Sequence, residues 1–127
     1  MDTRLTLILA AALVLLPGVA NAAAQNTVTW TDNATDETSF VLERATAADV
    51  AACQTATTWT PIVTLPAAVA PSPSTVAFVD TVVTVGTTYC YRVKAVNVAG
   101  AAPPSNIAGR TVPLAIPAAA SGLQVGP

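Results

Sequence analysis

"TYCYRVKAVN", Thr88 to Asn97, is the longest clean alternation in the chain. Tyr89, Tyr91, Val93 and Ala95 fall on one face of an extended segment, while Cys90, Arg92 and Lys94 fall on the other. Outward from it the same period of two returns, rich in Thr and Val. It is seen in "TVTWT" (Thr27 to Thr31), "SFVLER" (Ser39 to Arg44), "WTPIVTL" (Trp59 to Leu65), "TVAFVD" (Thr75 to Asp80) and "SNIAGRTVP" (Ser105 to Pro113). Polar or Pro-rich breaks separate them: "DNATDET", an irregular Ala-rich run "ATAADVAACQTATT", and "PAAVAPSPS". Helical spacing is absent from this region. Short strands joined by turn signals predict an all-β, antiparallel sandwich.

The chain has 127 residues, a formal net charge of -2 and 53% hydrophobic residues, enough for one domain with one core. Arg4, the apolar run Leu5 to Leu16, the Pro17-Gly18 break and "VANAAAQ" read as a signal peptide over residues 1–22. Ala20 and Ala22 flank Asn21 in the pattern a signal peptidase needs, placing the cut after Ala22, with Ala24 as the nearby alternative. The apolar run is shorter than the ~20 residues of a spanning helix, and no cysteine near the cut supports a lipid anchor. The expected product is secreted, periplasmic or cell-surface, with no membrane span in the mature chain. Beyond the leader, Arg44, Arg92, Lys94 and Arg110 face Asp32, Asp36, Glu37, Glu43, Asp49 and Asp80 without a basic cluster, which argues against nucleic acid. Cys53 and Cys90, in an exported chain, predict one disulfide.

"VTWTDNATDETSFVLER" (Val28 to Arg44) followed by "VDTVVTVGTTYCYRVKAVNVAGAAPPSN" (Val79 to Asn106) resembles a fibronectin type III domain of the secreted bacterial type. The likeness covers roughly residues 27–113, and it assigns the domain to 25–113. It implies an immunoglobulin-like β-sandwich in which Trp30 is the buried tryptophan of the family's second strand. Gly86-Thr87-Thr88-Tyr89 matches the turn into the family's sixth strand, so the resemblance implies that the Tyr89 hydroxyl bonds back to backbone near Val83, as a tyrosine corner. A Glu43 to Arg92 pair on the outer face is expected to contribute little. Two departures stand out. Cys90 faces outward by alternation, so Cys53 must reach it by folding the Ala-rich insertion over the outer face. The family's first strand is also missing, since only Ala23 to Asn26 precede "TVTW".

A counterpart to that strand lies at the other end. Residues 114–127 form a Pro/Ala-rich linker running into "SGLQVGP", with Leu123 and Val125 where the family's first strand carries its apolar pair. Three readings are open: a fragment of a longer protein ending in a lost neighbour's first strand, a tail that returns to its own domain, or a tail that fills the slot of another molecule head to tail.

The sequence holds no histidine, which removes Ser-His-Asp and Cys-His machinery and the commonest zinc ligand. No enzyme activity and no cofactor is expected. Asp32, Asn33, Asp36 and Glu37 are the one loop whose oxygens could converge on calcium, but turn chemistry is the favoured reading. Trp59 could stack on a sugar; packing on the core or under the insertion is favoured. The functional expectation, drawn from the family, is a non-catalytic binding, spacer or surface-assembly module with a protein or polysaccharide ligand. The alternative is an accessory domain or truncated piece of a larger secreted enzyme, such as a polysaccharide-degrading hydrolase.

Overall fold

The computed structural model of the chain describes residues 23–67, 71–114 and 116–127; the expected leader, 1–22, lies outside them. Ala24–Pro113 form one compact unit, and the tail from Leu114 belongs to another. Among the described residues there are seven strands: β1 Asn26–Asp32, β2 Ser39–Ala47, β3 Thr60–Pro66, β4 Ser74–Asp80, β5 Thr88–Asn97, β6 Gly100–Ala101 and β7 Ala108–Thr111. They make two antiparallel sheets. The larger runs β3-β2-β5, with β6 and β7 both paired to the far side of β5, and the smaller contains only β1 and β4.

Alternation dictates which side chains meet between the sheets. Phe40 and Leu42 of β2 and Tyr89, Tyr91 and Val93 of β5 are buried with Val112, and Val28, Trp30, Val76 and Phe78 of the small sheet pack against them. Trp30 meets Phe40 edge to face, with ring centroids 5.8 Å apart. The coarse expectation of an all-β, two-sheet antiparallel architecture therefore holds, and β2 and β5 are its centre.

Two local features follow from residue chemistry. Prolines 103 and 104 cannot donate to a ladder, and the last strand is split there into β6 and β7. Ser105 bridges the gap: its backbone N–H donates to the Val93 carbonyl at 2.9 Å, and its Oγ accepts from the Val93 N–H at 3.0 Å. The second is the turn before β5. Gly86 has φ of 82°, a left-handed conformation that favours glycine, and its N–H donates to Val112 O at 2.7 Å.

The Ala-rich insertion is less irregular than its composition predicts. β2 continues to Ala47, and a 3-10 turn spans Ala51–Thr55, its first turn held by the Asp49 carboxylate accepting from Ala52 N–H at 2.8 Å. This segment lies over the outer face of the large sheet and forms a second apolar cluster there. Ala45, Cys53 and Cys90 are its buried members, with Trp59 and Ile107 packed against them.

Candidate functional site

The two cysteines are joined, with Cα atoms 5.5 Å apart and both residues 0% exposed. The bridge lies on the outward face of β5, where alternation places Cys90, and it pins the insertion to the sheet. Closing a loop of 37 residues this way is worth about 4 kcal/mol in the chain-entropy account. Glu43, also on this face, is less accessible than the sequence suggests, at 7% exposure. Arg92 Nε donates to its carboxylate at 2.6 Å, Lys94 Nζ lies 3.4 Å away, and Arg92 in turn stacks over Trp59 at 4.5 Å. Burial pushes the Glu43 carboxyl up, but the hydrogen bonds and charges of Arg92 and Lys94 outweigh that and hold it below the ordinary carboxylate range. The expected surface pair is thus a covered triad.

Tyr89 places its hydroxyl 3.0 Å from the N–H of Thr84, which donates to it, and Arg44 stacks over its ring. A larger polar network, which alternation alone does not announce, lies beside it at the base of the sandwich. Asn26 Nδ2 donates to Tyr91 Oη at 2.9 Å, and Tyr91 Oη donates to Asp80 Oδ2 at 2.8 Å. Arg44 donates to the same Asp80 oxygen at 2.8 Å, and Arg110 donates to Asn26 Oδ1 at 2.8 Å. Five strands of both sheets are stitched together by these five side chains. Burial and the neighbouring Asp80 carboxylate push the Tyr91 hydroxyl up to about 12, with Asn26 acting in the opposite direction. Burial raises Asp80 as well, yet hydrogen bonds from Arg44, Tyr91 and the Val82 N–H leave its carboxyl lowered.

Above this network the sandwich is open. β1 pairs with β4 along one edge only. Among the described residues, the backbone of Thr27 to Thr31 has no hydrogen-bond partner outside that ladder, so the other edge presents free N–H and C=O groups. Between this edge and β7 runs a groove of about 500 Å³. Val28 and Trp30 form one wall, Ser105, Asn106 and Ala108 the other, and Leu42, Tyr91 and Val93 the floor. Ala108 is diagnostic. It sits opposite Tyr91 in the β5–β7 register, on the core-facing side, yet it is exposed. Trp30, expected to be buried, is only half-buried for the same reason: among the described residues, no strand flanks β1 on this side. Its indole Nε1 is nonetheless shielded from solvent and has no hydrogen-bond partner among the described residues.

The other sequence candidates are distributed as follows. Asp32 is buried at the end of β1, and its Oδ1 accepts from Ala34 N–H at 3.1 Å, the short-range bond of a turn former. Asp36 offers its backbone carbonyl to Asn97, while Asn33 and Asp36 are exposed and Glu37 is half-buried. These four do not close on a common point: among the described residues, no group of three or more His, Cys, Asp or Glu side chains could hold a metal ion. Leu123 and Val125 carry no strand and are 93% and 94% exposed. No helix among the described residues is long and apolar enough to cross a membrane. Neither a family model nor a curated protein matches this sequence.

Proposed function

We propose that this chain is an exported, non-catalytic module of fibronectin type III type whose work is to bind an extended polypeptide along the open edge of β1. The single observation that carries the reading is that edge itself, with the groove beneath it reaching core residues Leu42, Tyr91 and Val93. A strand laid there would satisfy the free backbone groups of β1 and cover Ala108. Main-chain pairing supplies affinity in such a mode, and alternate side chains entering the groove supply selectivity. The disulfide fits an oxidising compartment. Absence of histidine from the sequence and of carboxylates from the groove lining favours binding over catalysis.

The test is amide hydrogen exchange on the protein purified from the exported fraction, with and without a soluble alternating peptide, Lys-Thr-Val-Thr-Val-Thr-Lys. Selective slowing at Thr27 to Thr31 is the expected outcome. Unchanged exchange at those amides, with peptide in large excess, would refute an accepting edge.

A further inference from the structure

The tail of the chain has the properties that the groove selects for. Leu114, Ile116, Leu123 and Val125 are among the most exposed large apolar residues described, from 73% to 94%. Residues 114–127 contain no charged side chain, and within them Leu123 and Val125 alternate with the same spacing as Val28 and Trp30 on the groove wall. Apolar side chains left in water at this density are unusual unless something covers them. We propose that Ser121 to Val125 of a second copy of this chain is the strand that fills the groove, joining molecules head to tail. This inference rests on the edge of β1 being an acceptor.

Reach argues for a second copy over self-closure. Every ladder in the two sheets is antiparallel, and an added strand antiparallel to β1 must enter at the Asp32 end. β7 leaves the sheet at the opposite end, where Arg110 meets Asn26 at 2.8 Å. A chain returning to its own groove must climb the length of β1, seven residues or about 23 Å, before pairing. Leu114 to Ser121 spans at most about 26 Å when fully extended, leaving almost nothing for the turn. A neighbouring molecule offers the same groove without that constraint. Each copy has one donor tail and one acceptor groove, built from different segments of the chain, so the contact is heterologous and propagates.

Donor and acceptor can be disabled separately. L123K/V125K places charges on the tail, outside the unit Ala24–Pro113. A108R places one at the groove wall, on an already exposed residue. The mass of the exported protein, followed by light scattering over a concentration series, should rise above the 12.7 kDa calculated for the full sequence, as oligomers lengthen with concentration. Each variant alone should stay monomeric. Their equimolar mixture should give a capped dimer that grows no further, because only one intact tail and one intact groove remain. A monomeric parent whose Thr27 to Thr31 amides exchange faster in L123K/V125K would overturn the second copy in favour of the chain's own tail. If the parent and the mixture both stay monomeric and those amides are indifferent to the tail, the tail is not the occupant. The Thr/Val peptide then separates the two failures: protection by it leaves the acceptor edge standing, and no protection removes that as well.

Discussion

Replacing Gly109 by alanine tests how the outer face is assembled. Gly109 lies in β7 opposite Cys90, and a Cβ built there would stand 2.6 Å from Cys53 Sγ and 3.4 Å from both Cys53 Cβ and the Tyr89 carbonyl. Ordinary contacts of this kind are about 3.5–4.0 Å, so the sulfur must move by roughly 1 Å. It cannot swing away freely, because it is bonded to Cys90 and fully enclosed. Overpacking of this sort costs about 1–3 kcal/mol. Against it stands a gain of roughly 0.4–1 kcal/mol from the reduced freedom of the unfolded chain. A net loss of about 1–2 kcal/mol follows, which for a domain of this size lowers Tm by roughly 5–15 °C. In C53A/C90A the sulfur is absent and the remaining neighbours are at 3.4 Å, so G109A should become neutral or slightly stabilising. The measurement is a four-protein urea cycle read by tryptophan fluorescence, with trimethylamine N-oxide added throughout to support the disulfide-free pair. Equal effects of G109A in both backgrounds would show that the sulfur contact is not the reason for glycine at this position.

Two further expectations concern the buried polar groups. Y91F removes the hydroxyl between Asn26 and Asp80, leaving an enclosed amide donor without its acceptor. It should cost about 1–3 kcal/mol in the same urea assay, and a loss below about 0.5 kcal/mol would mean that the network is not stabilising. Glu43 and Asp80 both have lowered carboxyl pKa values in the folded chain. The unfolded state therefore binds more protons on acidification, and their stabilisation, complete above the ordinary values of 4.5 and 3.8, fades as pH falls below these. Tm should hold steady down to about pH 5 and then fall, with E43Q flattening the descent; a descent unchanged by E43Q would remove the triad from the explanation.

Legibility tracked how local the cause is. Alternation within β5 assigned Tyr89, Tyr91 and Val93 to the interior and Cys90 to the exterior, and the need for an external partner then located the insertion. Gly86 was singled out only through the family turn that Gly86-Thr87-Thr88-Tyr89 resembles, and its φ of 82° supplies the physical reason for glycine there. The Asn26, Tyr91, Asp80, Arg44 and Arg110 network was not: its members come from five strands, and the Arg110 to Asn26 bond spans 84 residues. Gly109 reads as an unremarkable strand glycine until Cys53 is brought over it. For the groove, the sequence raised the expectation of a missing first strand, but only the fold shows Ala108 and Trp30 exposed and half-buried beside the open edge of β1.

The two sides of the large sheet are closed by different means, and the difference bears on how an open edge can persist. On the inner side a two-stranded sheet covers a five-stranded one, so the core is incomplete along β7 and contributes less burial than a fully flanked sandwich would. On the outer side the insertion adds a second apolar cluster, a covalent cross-link and the Glu43 triad. The polar network clamps the base, where β1, β4 and β7 converge. Stabilisation is thus concentrated away from the groove. In an accepting site this is the economical arrangement: a surface whose own closure held the domain together could not be left free for another strand, whereas one stabilised from behind can keep its edge exposed and its walls in place.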